Sequence, residues 1–117
     1  MSGPSPSARP RLDPTRLDPT RLDPVREFFA RPIGPHSAEL DALLSLLRAG
    51  PVAGKHCLIC TEPHRAWRIG RLSGVRNVPP ALDDNRTFGS IEEAERAIFR
   101  LRWKAETGQD LGEEFQP

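Results

Sequence analysis

No tyrosine occurs in this 117-residue chain, methionine appears once and cysteine twice. Nowhere does an apolar run approach the roughly 18 residues that a membrane-spanning helix needs, so no membrane contact is expected. The N-terminus, MSGPSPSARP, lacks the apolar stretch of a secretory signal, which makes the cytoplasm the expected compartment. There, two cysteines are expected as free thiols rather than a disulfide. An excess of one charge is missing too. The 17 basic and 16 acidic residues leave a net charge of +1, whereas a free-standing nucleic-acid binder usually carries a clear basic excess. G-x-S-x-G, H-E-x-x-H and P-loop motifs are all absent, and the three histidines stand in no triad order. No catalytic or cofactor-binding residue is therefore expected in the chain.

Proline, by contrast, is abundant and uneven. Eight of the 13 prolines fall in the first 35 residues, where residues 11–25 read RLDPT RLDPT RLDPV. A proline every five residues removes backbone donors too often for a helix or a strand ladder. The repeat lacks the glycine period of collagen, and Leu12, Leu17 and Leu22 alone are too little for a solenoid. Residues 1–27 are read as a disordered arm, residues 28–110 as one small α+β domain, and residues 111–117 as a polar tail. A sharper version makes the arm a strap that orders on a partner through its leucines.

The body shows four segments. Residues 37–49 place Leu40, Leu43, Leu44 and Leu47 on one helical face, with Ser37 as N-cap and Gly50-Pro51 as the stop. Residues 55–61 and 66–72 read as an antiparallel β-hairpin around a Glu62–Arg65 turn. Residues 77–87 read as a loop, because Pro79 and Pro80 forbid helix and inner strand. Residues 90–107 form a long amphipathic C-terminal helix, with Ser90 and Glu93 as a capping box and Gly108 beyond its end.

That last helix carries two apolar sides. Ile91, Ala94, Ile98, Leu101 and Ala105 form one stripe; Phe99 and Trp103, one turn apart, lie roughly opposite. One hairpin and one short helix cover one face, so the aromatic pair is read as a partner surface, in preference to Phe28, Phe29 or Phe115 folding back over it. A lean body of about 80 residues with no staple also favours a partner. The expected subunit-interface residues are Trp67, Arg68, Phe99 and Trp103.

Other chemistry is weaker. Cys57 and Cys60 have C-x-x-C spacing with His56 and His64 nearby, but residues three apart on a strand point to opposite faces and no second pair follows, so no metal site is expected. A redox pair would need its first cysteine at a helix N-terminus. Asp83-Asp84 reads as a solvated turn before it reads as a cation site. Arg65, Arg68, Arg71 and Arg76 make a basic hairpin the basis of the alternative reading, a small DNA-binding or regulatory module. A zinc-stabilised adaptor is a third.

Several pieces, colinear and nearly evenly spaced, resemble a known family: RPIGPHSAEL, then Gly54-Lys55, then TEPHRAWRIGRL, then RTFGSIEEAERAIFRLRWKAE. From about Arg31 to Glu106 the chain resembles the small subunit of N,N-dimethylformamidase. The resemblance implies a bacterial amide hydrolase that converts dimethylformamide to formate and dimethylamine. It also implies a larger partner subunit holding a mononuclear iron through tyrosine and glutamate, in an α2β2 assembly or a multiple of it. This chain would stabilise that partner; having no tyrosine, it supplies no such ligand set itself.

Overall fold

The computed structural model describes residues 17–83 and 85–117. The expected disorder of the arm falls mostly on residues 1–16, which lie outside these, as does Asp84. Helix α1 spans Asp23–Ala30, α2 Ala38–Arg48 and α3 Ile91–Thr107; strands are β1 His56–Glu62, β2 Ala66–Arg71 and β3 Ala81–Leu82, and Glu113–Phe115 forms a 3-10 turn. This is an α+β fold with an antiparallel sheet in the order β1-β2-β3.

The body begins upstream of the boundary expected near residue 27. Pro24 sits in the first turn of α1, where its missing N–H costs nothing. Val25 and Phe28 are fully buried, and Leu17 and Leu22 pack against the same core. The last repeat thus supplies a helix start. Arg21 of that repeat donates through Nε and Nη2 to the two carboxylate oxygens of Glu39 on α2, at 2.6 and 2.9 Å.

Local rules explain the helix ends. Ser37 Oγ accepts from Leu40 N at 3.1 Å, and Glu27 of α1 in turn accepts from the Ser37 backbone and hydroxyl. Ser90 Oγ accepts from Glu93 N at 3.1 Å. Gly108 closes α3 in the left-handed region at φ +77°, donating to Lys104 O.

Helix α3 is the middle layer. On one side Ala97 and Ile98 pack with Ile69, Leu58, Phe88 and Leu101 beneath the sheet. On the other, Phe99 and Trp103 join Val25, Phe28, Leu40, Leu43, Leu44, Leu47, Leu111 and Phe115. Ala105, expected on the apolar stripe with Ile98 and Leu101, is exposed. The segment read wholly as loop holds β3, which pairs Leu82 with Gly70 and Ala81 with Arg71. It starts directly after Pro80, so neither proline has to donate within the ladder. The tail is anchored rather than merely polar: Leu111 and Phe115 are buried.

Candidate functional site

The structure divides the four expected interface residues. Phe99 and Trp103 are each 2% exposed, so the reading of this pair as an uncovered patch is corrected. Phe28 stacks on Phe99 with centroids 4.6 Å apart, and Trp103 stacks on Phe99 at 6.2 Å. Phe29 meets Phe99 edge-on at 5.6 Å, and Phe115 meets Phe29 at 5.3 Å. The chain's own α1 and tail occupy the face assigned to a partner. Trp67 is half-buried opposite Cys60, and its backbone exchanges two hydrogen bonds with Phe88. Arg68, also half-buried, stands opposite Ile59.

Cross-strand partners share a face, which sorts the hairpin. His56, Leu58 and Cys60 lie with Arg71, Ile69 and Trp67, toward α3; Cys57, Ile59, Arg68 and Gly70 lie on the outer face. The two cysteines therefore diverge, and both are free. Among the described residues no three His, Cys, Asp or Glu side chains converge as a metal site would require, and no helix is long and apolar enough to cross a membrane. The basic hairpin also splits. Arg68 and Arg71 take opposite faces, Arg65 pairs with Glu62 at 3.6 Å, and Arg71 pairs with Asp83 at 3.5 Å. No single basic face remains for a nucleic acid, so the alternative reading is not favoured.

A polar cluster does form between sheet and α3. His56, buried at the start of β1, points Nε2 toward Asp83 Oδ2 at 3.9 Å, and Asp83 also faces Arg71. Arg102 of α3 donates to the His56 carbonyl at 3.1 Å. Burial lowers the pKa of His56, Arg71 lowers it further, Asp83 pulls it up, and Arg102 adds a smaller downward push. Burial and the two arginines together outweigh Asp83, so the neutral imidazole is favoured. Two turns before Arg102 on α3, burial raises the pKa of Glu95 against the pull of Arg102, Arg48 and His36. Burial likewise lowers the pKa of Arg102, with Arg48 acting in the same sense and Glu95 opposing.

Sequence reading missed a set of side chains that clamp elements together. Arg96 Nε donates to Phe29 O at 3.0 Å, tying α1 to α3. Arg100 donates to Gly112 O, Phe115 O and Leu111 O at 2.8–3.0 Å, holding the tail. Lys55 Nζ donates to the carbonyls of Arg48, Ala49 and Gly50, closing the C-terminus of α2. The available signal was three arginines within seven residues of α3, but their carbonyl partners leave no mark in the sequence.

The model of the N,N-dimethylformamidase alpha subunit matches residues 20–113. The chain belongs to that family. No curated protein matches it. The dimethylformamidase match opens three residues before α1 and closes at the first residue of the 3-10 turn, so it spans all three α-helices and all three strands and leaves out most of the repeat arm. The family takes its name from one subunit of an enzyme, which implies a hetero-oligomeric partner. The residues that carry the dimethylformamidase resemblance have structural jobs here. Gly54 turns the chain at φ +80° and Lys55 caps α2; Ser90 caps α3; Ala94 and Ile69 are fully buried.

Proposed function

We propose that this chain is the small, non-catalytic subunit of a dimethylformamidase-like amidohydrolase. It stabilises a larger subunit that hydrolyses small N-substituted amides, such as dimethylformamide, to formate and dimethylamine. The assembly is a bacterial cytoplasmic α2β2 heterotetramer or a multiple of it. The observation that carries the reading is the family match over residues 20–113, combined with the structural work done by the residues behind the resemblance.

The iron of such an enzyme belongs to the larger subunit. A tyrosine–glutamate ligand set does not fit this chain, which has no tyrosine, and its described residues bring no three potential ligands together. No step of the hydrolysis is assigned to its side chains. Their contribution is to hold a rigid three-layer body against the catalytic partner.

The test is co-expression with the reading frame adjacent in the genome, followed by light scattering, iron analysis and an amide-hydrolysis assay. The expected result is a stable complex with a large iron-containing partner and amidase activity. A soluble monomer that forms no complex with that partner would sink the reading.

A further inference from the structure

The sheet has a strand with an open flank. In the order β1-β2-β3, the far side of β1 meets no other strand among the described residues. The direction of its backbone groups follows from β2. Trp67 exchanges two hydrogen bonds with Phe88, and Ile69 O accepts from Asp83 N at 2.9 Å, so both residues turn their backbone toward the β3 side. Their partners across the hairpin are Cys60 and Leu58. Residues directly opposite in an antiparallel pair either bond to each other or both turn away. Leu58 and Cys60 therefore present N–H and C=O to the open flank, and among the described residues no hydrogen bond reaches those groups.

The open run is bounded at both ends. At its start His56 O already accepts from Arg102 at 3.1 Å. At its end Glu62 O accepts from Arg65 N at 2.9 Å, and the register shifts between Cys60 and Glu62. Between these limits stand the four backbone groups of Leu58 and Cys60, symmetric about Ile59. Edge strands are commonly guarded by proline, lysine or an inward charge. Cys57–Thr61 are five uncharged residues with none of these. Such a window fits itself. When a second copy runs antiparallel with Ile59 opposite Ile59, Leu58 of each chain meets Cys60 of the other, and each meeting closes two hydrogen bonds. The same register sets Cys57 against Thr61 and His56 against Glu62, so no like charges oppose. A long strand of another protein would have to run past the Arg102 side chain at one end and the irregular register at the other. A second copy carries the same two limits in reverse order and stops where they do.

We propose that β1 pairs with β1 of a second copy of this chain about a two-fold axis at Ile59, doubling the three-stranded sheet into one continuous antiparallel sheet. The α2β2 assembly proposed above holds two copies of this chain, and the pairing puts them in contact. It stands on the hydrogen-bonding pattern of the strand edge and not on that assembly.

The test uses the full chain, alone and co-expressed with its large subunit. Ile59→Cys, made together with Cys57→Ser and Cys60→Ser, places one thiol per chain at the axis. Opposite Cα atoms stand about 4.5 Å apart there, within reach of a disulfide. Mild oxidation should double the mass of this chain on a non-reducing gel, and a thiol reductant should restore it. Val52→Cys in the same background is the control. Val52 is exposed but lies before β1, far from its own copy in the proposed pair, so it should stay unlinked. No link through Ile59→Cys overturns the inference and leaves the subunit reading standing. An equal link through Val52→Cys reports random collision and overturns it too. Linkage of Ile59→Cys to the larger subunit in place of a second copy gives the edge to that subunit and again overturns the inference. A linked pair of this chain that binds no large subunit upholds the inference and sinks the subunit reading.

Discussion

His56 is a neutral imidazole in a charged setting, and its titration is visible in stability. Its pKa in the folded chain is lowered from 6.5. Above that value neither state holds the proton. Below it the unfolded chain takes up a proton that the folded chain resists, so stability falls as pH drops from 6.5. The slope from one proton is at most about 1.4 kcal/mol per pH unit. Urea unfolding at stepped pH should show this loss, and His56→Gln should flatten it; an unchanged slope would contradict the assignment. Nothing near His56 in sequence announces this role, because Arg71 comes from β2, Asp83 from the residue after β3 and Arg102 from α3. Gly70 was equally silent. A Cβ there would stand 2.6 Å from Ile59 Cδ1 and 2.7 Å from Ala81 O, and both neighbours are set by strand pairing.

At the scale of elements, the ends of helices were readable and the ties between them were not. Ser37, Ser90 and Gly108 act on backbone groups within four residues, so local spacing reveals them. Arg96 reaches a carbonyl 67 residues away and Arg102 one 46 residues away. Such partners exist only once the layers have assembled. β3 escaped notice because two residues after a double proline offer no alternation to detect. Arg100 provides a direct check on the tail. Arg100→Leu removes hydrogen bonds to three carbonyls and should cost about 1–3 kcal/mol, given that the site is partly solvated. Amide exchange should speed up selectively in residues 111–115. Uniform loss of protection across the chain would mean that the clamp serves the whole fold instead.

For the whole molecule, the two-sided apolar character of α3 was legible, and what covers the second side was not. The arm was taken to run through residue 27, which removed α1 from the count of covering elements. Val25 and Phe28 then turn out to be buried at the centre of the second core. Phe99→Ala should therefore lower the stability of the chain itself by about 3–5 kcal/mol, as truncation of a buried aromatic does. Denaturant unfolding of the isolated chain checks this. Normal unfolding combined with weakened subunit affinity would return the aromatic pair to the interface.

The tandem repeat makes the length of the segment ahead of the body adjustable in whole units. Residues 11–20 are two identical copies of RLDPT, and the third copy differs only in its last residue. Removing any five consecutive residues from 11–20 restores the same RLDPT-RLDPV junction ahead of Arg26. The leucines that touch the core, and the arginine that grips Glu39, are regenerated by the copies that remain. A change in copy number would thus lengthen or shorten the segment ahead of the body in five-residue steps while the folded body keeps an unchanged point of attachment.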